Sequence, residues 1–411
     1  MRSGVSGCGL RYAVRRSGSA VGYCALSIQC GTRDEAGFHK GIAHFVEHTL
    51  FRGTVRKSAS VISGYLDRLG GELNAYTTKE EIVLHATVLK EDLGKAARLL
   101  FELATEATFP EAEIETERGV VLDEIISYKD NPAEEIYDQF EGGLFDGHPL
   151  GRPILGHPGS VRRITSGELR QFVATYFIPS RMAFTVVADL DEAVLEKRVL
   201  KLVEKVFPGG TASPCVGGGH LPSYPWPAPF MRTVDKHNHE VNAVIGNRAP
   251  SLYDEKDRIV ASLLCNILGG PATNSLLNRE LRERHGWVYG VECSYTQYAD
   301  TGIVAITFGC DRPNLDRCLA GIDRILGRLC EAPLSERQVR AARRQLLGQL
   351  AIASDNGEAQ CLSMGKSLLA WGRITPDAEI RTQIEAVTPS DLQAMACRLF
   401  SPERLSRLVY L

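Results

Sequence analysis

The chain has 411 residues, of which 44% are hydrophobic and 24% are charged, the composition of an ordinary soluble globular protein. This length exceeds what one compact core accommodates, so two or more domains are expected. A net charge of -3 without a long basic run excludes an electrostatic affinity for nucleic acid, and no apolar stretch reaches the roughly 18 residues of a membrane span. We therefore expect neither nucleic acid nor a membrane as a partner.

The start of the chain predicts strands and a cytoplasmic location. Residues 10–30 alternate as strands do and predict a hairpin. Residues 1–16 contain four arginines and no acidic residue, which by itself suggests a mitochondrial transit peptide. Because the strand pattern already begins at Leu10, we expect no presequence, and a secretory segment is missing as well. The eleven scattered cysteines lack any Cys-x-x-Cys pair and predict reduced thiols.

Residues 37–54 predict a helix that carries a metal site. Its apolar residues recur at helical spacing, and they are Ile42, Phe45, Val46 and Leu50. His44 and His48 are four residues apart, so both imidazoles leave one face, with Glu47 beside them. Two imidazoles are a typical zinc pair, and a nearby carboxylate can take a proton from water. The alternative is a pair of surface histidines, which the apolar residues on the same helix make the weaker interpretation.

The motifs around this helix resemble those of the pitrilysin (insulinase) family of zinc peptidases. The resemblance rests on the run Gly31–Glu35, the string His44-Phe45-Val46-Glu47-His48 and the run Phe51–Thr54. It is strongest to the short-chain branch that includes mitochondrial processing peptidase, and it extends over nearly the whole chain. It implies an α/β (α+β) fold of two homologous halves, each a largely antiparallel β-sheet covered by α-helices. It also implies one Zn²⁺ per chain.

A possible substrate strand follows the metal helix. The local patterns predict a helix from Ser58 or Ser60 to Arg68, strands at 72–78 and 81–89, and a helix at 91–105. The run Gly71–Thr78 resembles the family's edge strand, onto which an extended peptide adds through backbone hydrogen bonds. The resemblance thus implies substrate contacts from Asn74, Ala75 and Tyr76. For Asn74 the alternative is a residue that ends a turn.

The helix predicted between Pro110 and Asn131 offers a third metal ligand. Glu117 and Glu124 are seven residues apart and share a face. The residues alone do not decide whether Glu117, Asp123 or Glu124 is the third ligand. The alternative is that none of them binds a metal and that they form a solvated acidic helix face. The run Glu117–Ile125 resembles the family's third-ligand helix. The resemblance implies that Glu124 binds zinc with the two histidines and that Glu117 orients water or a ligand.

A proline- and glycine-rich segment divides the chain. Residues 208–229 cannot form regular structure and predict a linker between a zinc-binding half, residues 1–207, and a second half, residues 230–411. Residues 66–73 and residues 281–288 are each followed by predicted strands, a helix, a proline and a long charged helix. This common order indicates internal duplication. Where the first half has the histidine motif, the second has the apolar run 259–264, so only the first half should carry metal ligands.

The second half contributes two predicted substrate contacts. Residues 268–271, followed by Arg282 and Tyr289, resemble the family's glycine loop and its Arg-Tyr pair. The resemblance implies that Arg282 contacts a substrate carbonyl and that Tyr289 donates to the oxyanion. Without it, both would be ordinary residues beside a turn. His237 and His239 are expected at the surface, since no third ligand lies near them in sequence.

The combined prediction is a zinc-dependent endopeptidase that hydrolyses peptides or unfolded segments inside a dimeric chamber. Glu47 would be the general base, with Glu117, Arg282 and Tyr289 as further catalytic residues. The expected partners are a peptide substrate and a second copy of the chain, in a homodimer with composite active sites. The alternatives are a non-catalytic subunit and a targeting-peptide-processing subunit of a heterodimer. Intact ligands argue against the first, and a zinc motif and Arg-Tyr pair in one chain argue against the second.

Overall fold

The structure is a computed structural model, and it describes residues 1–209 and 224–411. In these ranges the strands are β1 Arg2–Val5, β2 Arg11–Arg16, β3 Val21–Ile28, β4 Glu72–Thr77, β5 Ile82–Leu89, β6 Met182–Ala188, β7 Met231–Val234, β8 Val241–Ala249, β9 Val288–Gln297, β10 Gly302–Cys310 and β11 Ser406–Tyr410. Most of the predicted linker lies outside the described residues.

The α-helices of the described ranges are α1 Ile42–Leu50, α2 Ala59–Ser63, α3 Leu93–Glu106, α4 Glu111–Lys129, α5 Pro132–Leu144, α6 Pro158–Val161, α7 Ser166–Tyr176, α8 Glu192–Val206, α9 Glu255–Gly269, α10 Leu315–Glu331, α11 Glu336–Ala353, α12 Gly357–Trp371, α13 Asp377–Glu385 and α14 Pro389–Phe400. Residues Asn278–Arg284 form a π-helix. No helix in the described part of the chain is long and apolar enough to cross a membrane. The cytoplasmic location stays a prediction.

One compact unit comprises residues 1–126, 152–209 and 352–374 of the described chain. Its sheet has the order β1-β2-β6-β3-β5-β4. Successive strand residues point to opposite faces, so Leu26 and Leu84 pack against the core beneath α1 and α3, whereas Ala25 and Val83 pack against α12. The sheet therefore has helices on both faces, with the metal helix on one of them.

The predicted hairpin at residues 10–30 is wrong. Both strands form, but β6 lies between them, parallel to β2 and antiparallel to β3. All seven residues of β6 are buried, as expected for an interior strand of a sheet that has helices on both faces. Local alternation shows that a segment is a strand and does not reveal its neighbour.

The second compact unit comprises residues 127–151, 224–351 and 375–411 of the described chain. Its sheet has the order β7-β11-β8-β10-β9. One face packs against α9, α10 and α14 in a core that includes Ile245 and Leu264. The other face packs against α5, whose Phe140 lies in a cluster with Val244 and Leu408.

The two sheets share one topology, which confirms the predicted duplication. The order β2-β6-β3-β5-β4 matches β7-β11-β8-β10-β9 strand for strand. In these five-strand orders the first pair, β2 with β6 or β7 with β11, is parallel, and the other neighbours are antiparallel. The α/β fold of two homologous halves is therefore the observed one.

One face of each sheet is covered by a helix that lies on the other side of the linker in sequence. Helix α5 precedes the linker and belongs to the second unit, whereas α12 follows it and belongs to the first. The compact units thus differ from a simple division at the linker, and the predicted boundaries of the two halves stay predictions. Helix α5 is absent from the elements predicted above, although the proline at its first position, Pro132, suits a helix start.

Candidate metal centre

The start of helix α1 is fixed by a glycine and by a buried carboxylate that binds the backbone of its first turn. Gly41 precedes the helix with φ of 88°, and a Cβ there would lie 2.8 Å from the carbonyl oxygen of Leu155. The carboxylate of Glu35 accepts hydrogen bonds from the backbone N–H groups of Gly41, at 3.0 Å, and Ala43, at 3.2 Å. These bonds satisfy N–H groups that the first turn leaves without partners. They fix the position of the helix that carries the histidines.

Three predicted ligands converge between α1 and α4. The Oε2 atom of Glu124 lies 3.6 Å from Nε2 of His44 and 3.4 Å from Nε2 of His48. One ligand atom from each of the three residues lies within 4.8 Å of the other two. His44 is buried and His48 is half-buried. This is the one group of three candidate ligands found among the described residues.

Glu117 contacts the ring nitrogen of His48 that faces away from the other two candidate ligands. Its Oε2 atom lies 3.1 Å from Nδ1 of His48, and its side chain is almost fully buried. Its other oxygen pairs with the guanidinium of Arg52. A carboxylate on the distal ring nitrogen holds the proton there, which leaves Nε2 of His48 free to bind a metal. Arg52 lies in the turn that follows α1, and its positive charge compensates that buried carboxylate.

The proposed base lies beside the ligands, held by a strand. Glu47 accepts a hydrogen bond of 2.6 Å from the hydroxyl of Thr77, the last residue of β4. Burial raises the pKa of Glu47, and the hydrogen bond from Thr77 opposes that rise. A higher pKa suits a group that must take up a proton and release it again.

The pKa values of the two imidazoles are shifted in opposite directions. Burial, together with the neighbouring His48, lowers the pKa of His44 to about 4, so His44 is neutral at pH 7. Burial also lowers the pKa of His48, but the carboxylates of Glu124 and Glu117 have the larger combined effect and raise it overall. A metal cation at Nε2 would replace the proton that these carboxylates favour.

The donor set fits a zinc ion. Two imidazole nitrogens and one carboxylate oxygen are a common protein set for catalytic zinc, in which a fourth position stays open. The Oε2 atom of Glu124 is buried and accepts no hydrogen bond of ordinary geometry from the described residues. A buried carboxylate oxygen without a donor is costly unless a cation compensates it.

The predicted substrate strand is an edge strand. β4 pairs with β5 on one side and ends the sheet on the other, so its outer backbone groups have no partner strand in the described sheet. Ala75 packs against the core that contains α1, whereas Tyr76 packs against the α12 side. Asn74 alternates with Ala75 and is exposed, so its side chain is on the α12 side as well. Their substrate contacts stay predictions.

Arg282 and Tyr289 lie in the second unit and are both exposed. Arg282 is part of the π-helix Asn278–Arg284, a rare conformation that often marks functional sites. The hydroxyl of Tyr289 donates a 2.6 Å hydrogen bond to the carboxylate of Asp311. The roles of both residues in catalysis stay predictions.

Sequence reasoning missed Arg52, Thr77 and Asp311. Arg52 follows His48 at i+4, a helical spacing that could have indicated it. Thr77 follows Ala75 at i+2 in the strand and so shares its face. Asp311 is 22 residues from its partner Tyr289, and no local pattern relates the two.

Comparison with known proteins gives the family. Residues 11–158 match the family described as Insulinase (Peptidase family M16), and residues 163–346 match the Peptidase M16 inactive domain. An uncharacterized zinc protease of Mycobacterium tuberculosis is 30% identical over 380 residues, which is 90% of this chain and 84% of the relative. The chain belongs to peptidase family M16.

Other M16 relatives extend over the same length. YmxG of Bacillus subtilis, named an uncharacterized zinc protease, is 29% identical over 384 residues, which is 93% of this chain and 91% of that protein. The crystal structure of a protease from Helicobacter pylori superposes with a TM-score of 0.89, at 19% identity, over 100% of this chain and 99% of that one. The crystal structure of the peptidase M16 inactive domain from Pseudomonas fluorescens superposes with a TM-score of 0.88, at 18% identity, over 100% of this chain and 97% of that one. At these identities the two structures support the fold alone.

Proposed function

We propose that this M16 chain is a zinc-dependent endopeptidase that hydrolyses peptides or unfolded segments, with one zinc ion per chain. The observation that carries the proposal is the convergence of His44, His48 and Glu124, with the carboxylate of Glu47 beside them. The printed names of the relatives, zinc proteases in Bacillus subtilis and Mycobacterium tuberculosis, support the choice of metal and reaction.

The side chains divide the work of hydrolysis. Zinc, when bound, polarises the scissile carbonyl and lowers the pKa of a water molecule. Glu47 takes the proton of the attacking water and passes it to the leaving amine. Glu117 holds the Nδ1 proton of His48 and thereby fixes that imidazole in its metal-binding form.

Substrate would add to the free edge of β4 as one more strand. Backbone hydrogen bonds from such an edge bind any extended peptide, and side chains contribute specificity. A folded domain has few extended segments to offer, so peptides and unfolded segments suit this edge. Asn74, Ala75 and Tyr76 are the strand residues proposed to contact them.

Metal analysis combined with peptide digestion tests the proposal. His48→Ala should lose stoichiometric zinc, whereas Glu47→Gln should keep it, and both should fail to cleave an unstructured peptide followed by mass spectrometry. Glu115→Gln, an exposed position on α4, serves as a matched control and should behave as wild type. A wild-type protein that binds zinc and cleaves nothing would favour the alternative, a non-catalytic subunit. Near-normal turnover by Glu47→Gln would exclude Glu47 as the base.

The predicted homodimer with composite sites has its own test. If Arg282 and Tyr289 of one chain complete the metal site of another, two inactive proteins should complement each other. One carries Glu47→Gln and the other carries Arg282→Ala with Tyr289→Phe. With free exchange, half of the dimers are mixed and each has one intact site, so about a quarter of wild-type activity should return. Background activity despite demonstrated exchange would refute the shared site and leave the heterodimer alternative open.

A further inference from the structure

The last residue of the edge strand contacts the proposed base directly. The hydroxyl oxygen of Thr77 lies 2.6 Å from Oε2 of Glu47, a short hydrogen bond between residues 30 apart in the chain. The bond spans two elements, because Glu47 belongs to α1 and Thr77 to β4, and these elements pack against each other. Since an ionised carboxylate has no proton to give, the hydroxyl is the donor.

This contact determines which carboxylate oxygen is available for chemistry. A hydrogen bond to Oε2 fixes the rotation of the carboxylate and leaves Oε1 to receive the proton of the attacking water. The donor is stiff, because threonine is branched at Cβ and its χ1 rotamer is restricted. Its position is set by the backbone of β4, which pairs with β5 through Thr77 and Ile82. A stiff donor on a strand can hold the base more accurately than a flexible one.

The same strand carries the edge proposed to bind substrate. Thr77 follows Ala75 at the spacing that places both side chains on the face toward α1. A peptide that adds to the edge of β4 therefore pairs with the backbone whose side chain orients Glu47. The position of the base is thereby coupled to the strand that aligns the scissile bond.

The geometry points to Thr77 as a positioning residue that aligns Glu47 with peptide bound on β4. This inference rests on the proposed peptidase function. Thr77→Val keeps the shape and removes the donor, so it should lower kcat by about 10- to 100-fold, the loss typical of a misplaced catalytic group. KM and zinc content should stay at wild-type values. Thr77→Ser, which keeps the hydroxyl, should recover most of the lost kcat.

A matched control separates this role from a general effect of valine on the sheet. Thr87 lies on the neighbouring strand β5, is half-buried, and pairs with Glu72. Thr87→Val makes the same chemical change away from Glu47 and should leave kcat unchanged. If Thr77→Val instead loses zinc or melts earlier than Thr87→Val, the role of Thr77 is structural and the inference fails.

A readout without turnover separates this inference from the proposed function. Co²⁺ in place of zinc reports the surroundings of the metal through its visible absorption. We expect Thr77→Val to change that spectrum, because Glu47 beside the metal is released, whereas Thr77→Ser and Thr87→Val should match wild type. A changed spectrum in a protein that cleaves no peptide would overturn the peptidase function and support the positioning role. Unchanged spectrum and kcat in an active protein would overturn the positioning role alone.

Discussion

The structure predicts that Glu117 and Glu124 contribute to zinc affinity in different degrees. Glu124 lies beside both Nε2 atoms, whereas Glu117 contacts Nδ1 of His48 from behind. Removing Glu124 deletes a ligand, and removing Glu117 deletes only the partner of one. The loss of affinity should therefore be larger for Glu124→Ala than for Glu117→Ala.

The size of the Glu117 effect follows from its hydrogen bond to His48. A bond to a charged group contributes about 1.5–3 kcal/mol, and about 1.4 kcal/mol changes affinity tenfold. Glu117→Ala should thus weaken zinc binding by about 10- to 100-fold, the range typical of residues that support metal-binding histidines. Glu117→Gln keeps a neutral acceptor, and since charged bonds are roughly twice as strong as neutral ones, it should lose about tenfold or less.

Competition with a fluorescent zinc chelator at pH 7.5 measures these affinities. Glu115→Gln is the matched control, because Glu115 lies on the same helix, is exposed, and pairs with Arg118. Its affinity should equal that of wild type. The reasoning would be refuted if Glu117→Ala lost more zinc affinity than Glu124→Ala, or if Glu117→Ala bound zinc as tightly as the control.

Two further predictions concern the start of α1. Gly41→Ala should destabilise the protein by about 1–3 kcal/mol in urea unfolding, because φ is 88° and the new Cβ meets the carbonyl oxygen of Leu155. Gly37→Ala has the same φ but open space around it, so it should cost less, and equal losses would contradict the steric explanation. Burial raises the pKa of Glu35 to about 7, against the backbone hydrogen bonds that lower it. The folded state thus binds this proton more tightly than the unfolded state, and the stability it contributes is lost as pH rises from about 4 through 7. Thermal melts should show wild type losing stability relative to Glu35→Gln between pH 5 and 8, by roughly 2–3 kcal/mol, and parallel pH profiles would refute this.

Local sequence patterns identified most elements and the ligand helix. The spacing of His44, Glu47 and His48 fixes their common face wherever a helix forms, because helical geometry depends only on neighbouring residues. The same holds for Glu117 and Glu124, which the structure brings to one side of α4 beside the histidines. Choosing between these two carboxylates needed the family resemblance, since both satisfy the same periodicity.

Tertiary structure alone decided which elements are neighbours. The insertion of β6 between β2 and β3, and the place of α12 on the sheet of the first unit, bring together segments up to hundreds of residues apart. The hydrogen bond between Thr77 and Glu47 arises in the same way. Such contacts depend on the free energy of the whole packed core, to which every strand and helix contributes, and on the entropy of closing long loops. Sequence periodicity therefore predicts which side chains share a face of a helix or strand, and tertiary packing determines which other element that face contacts.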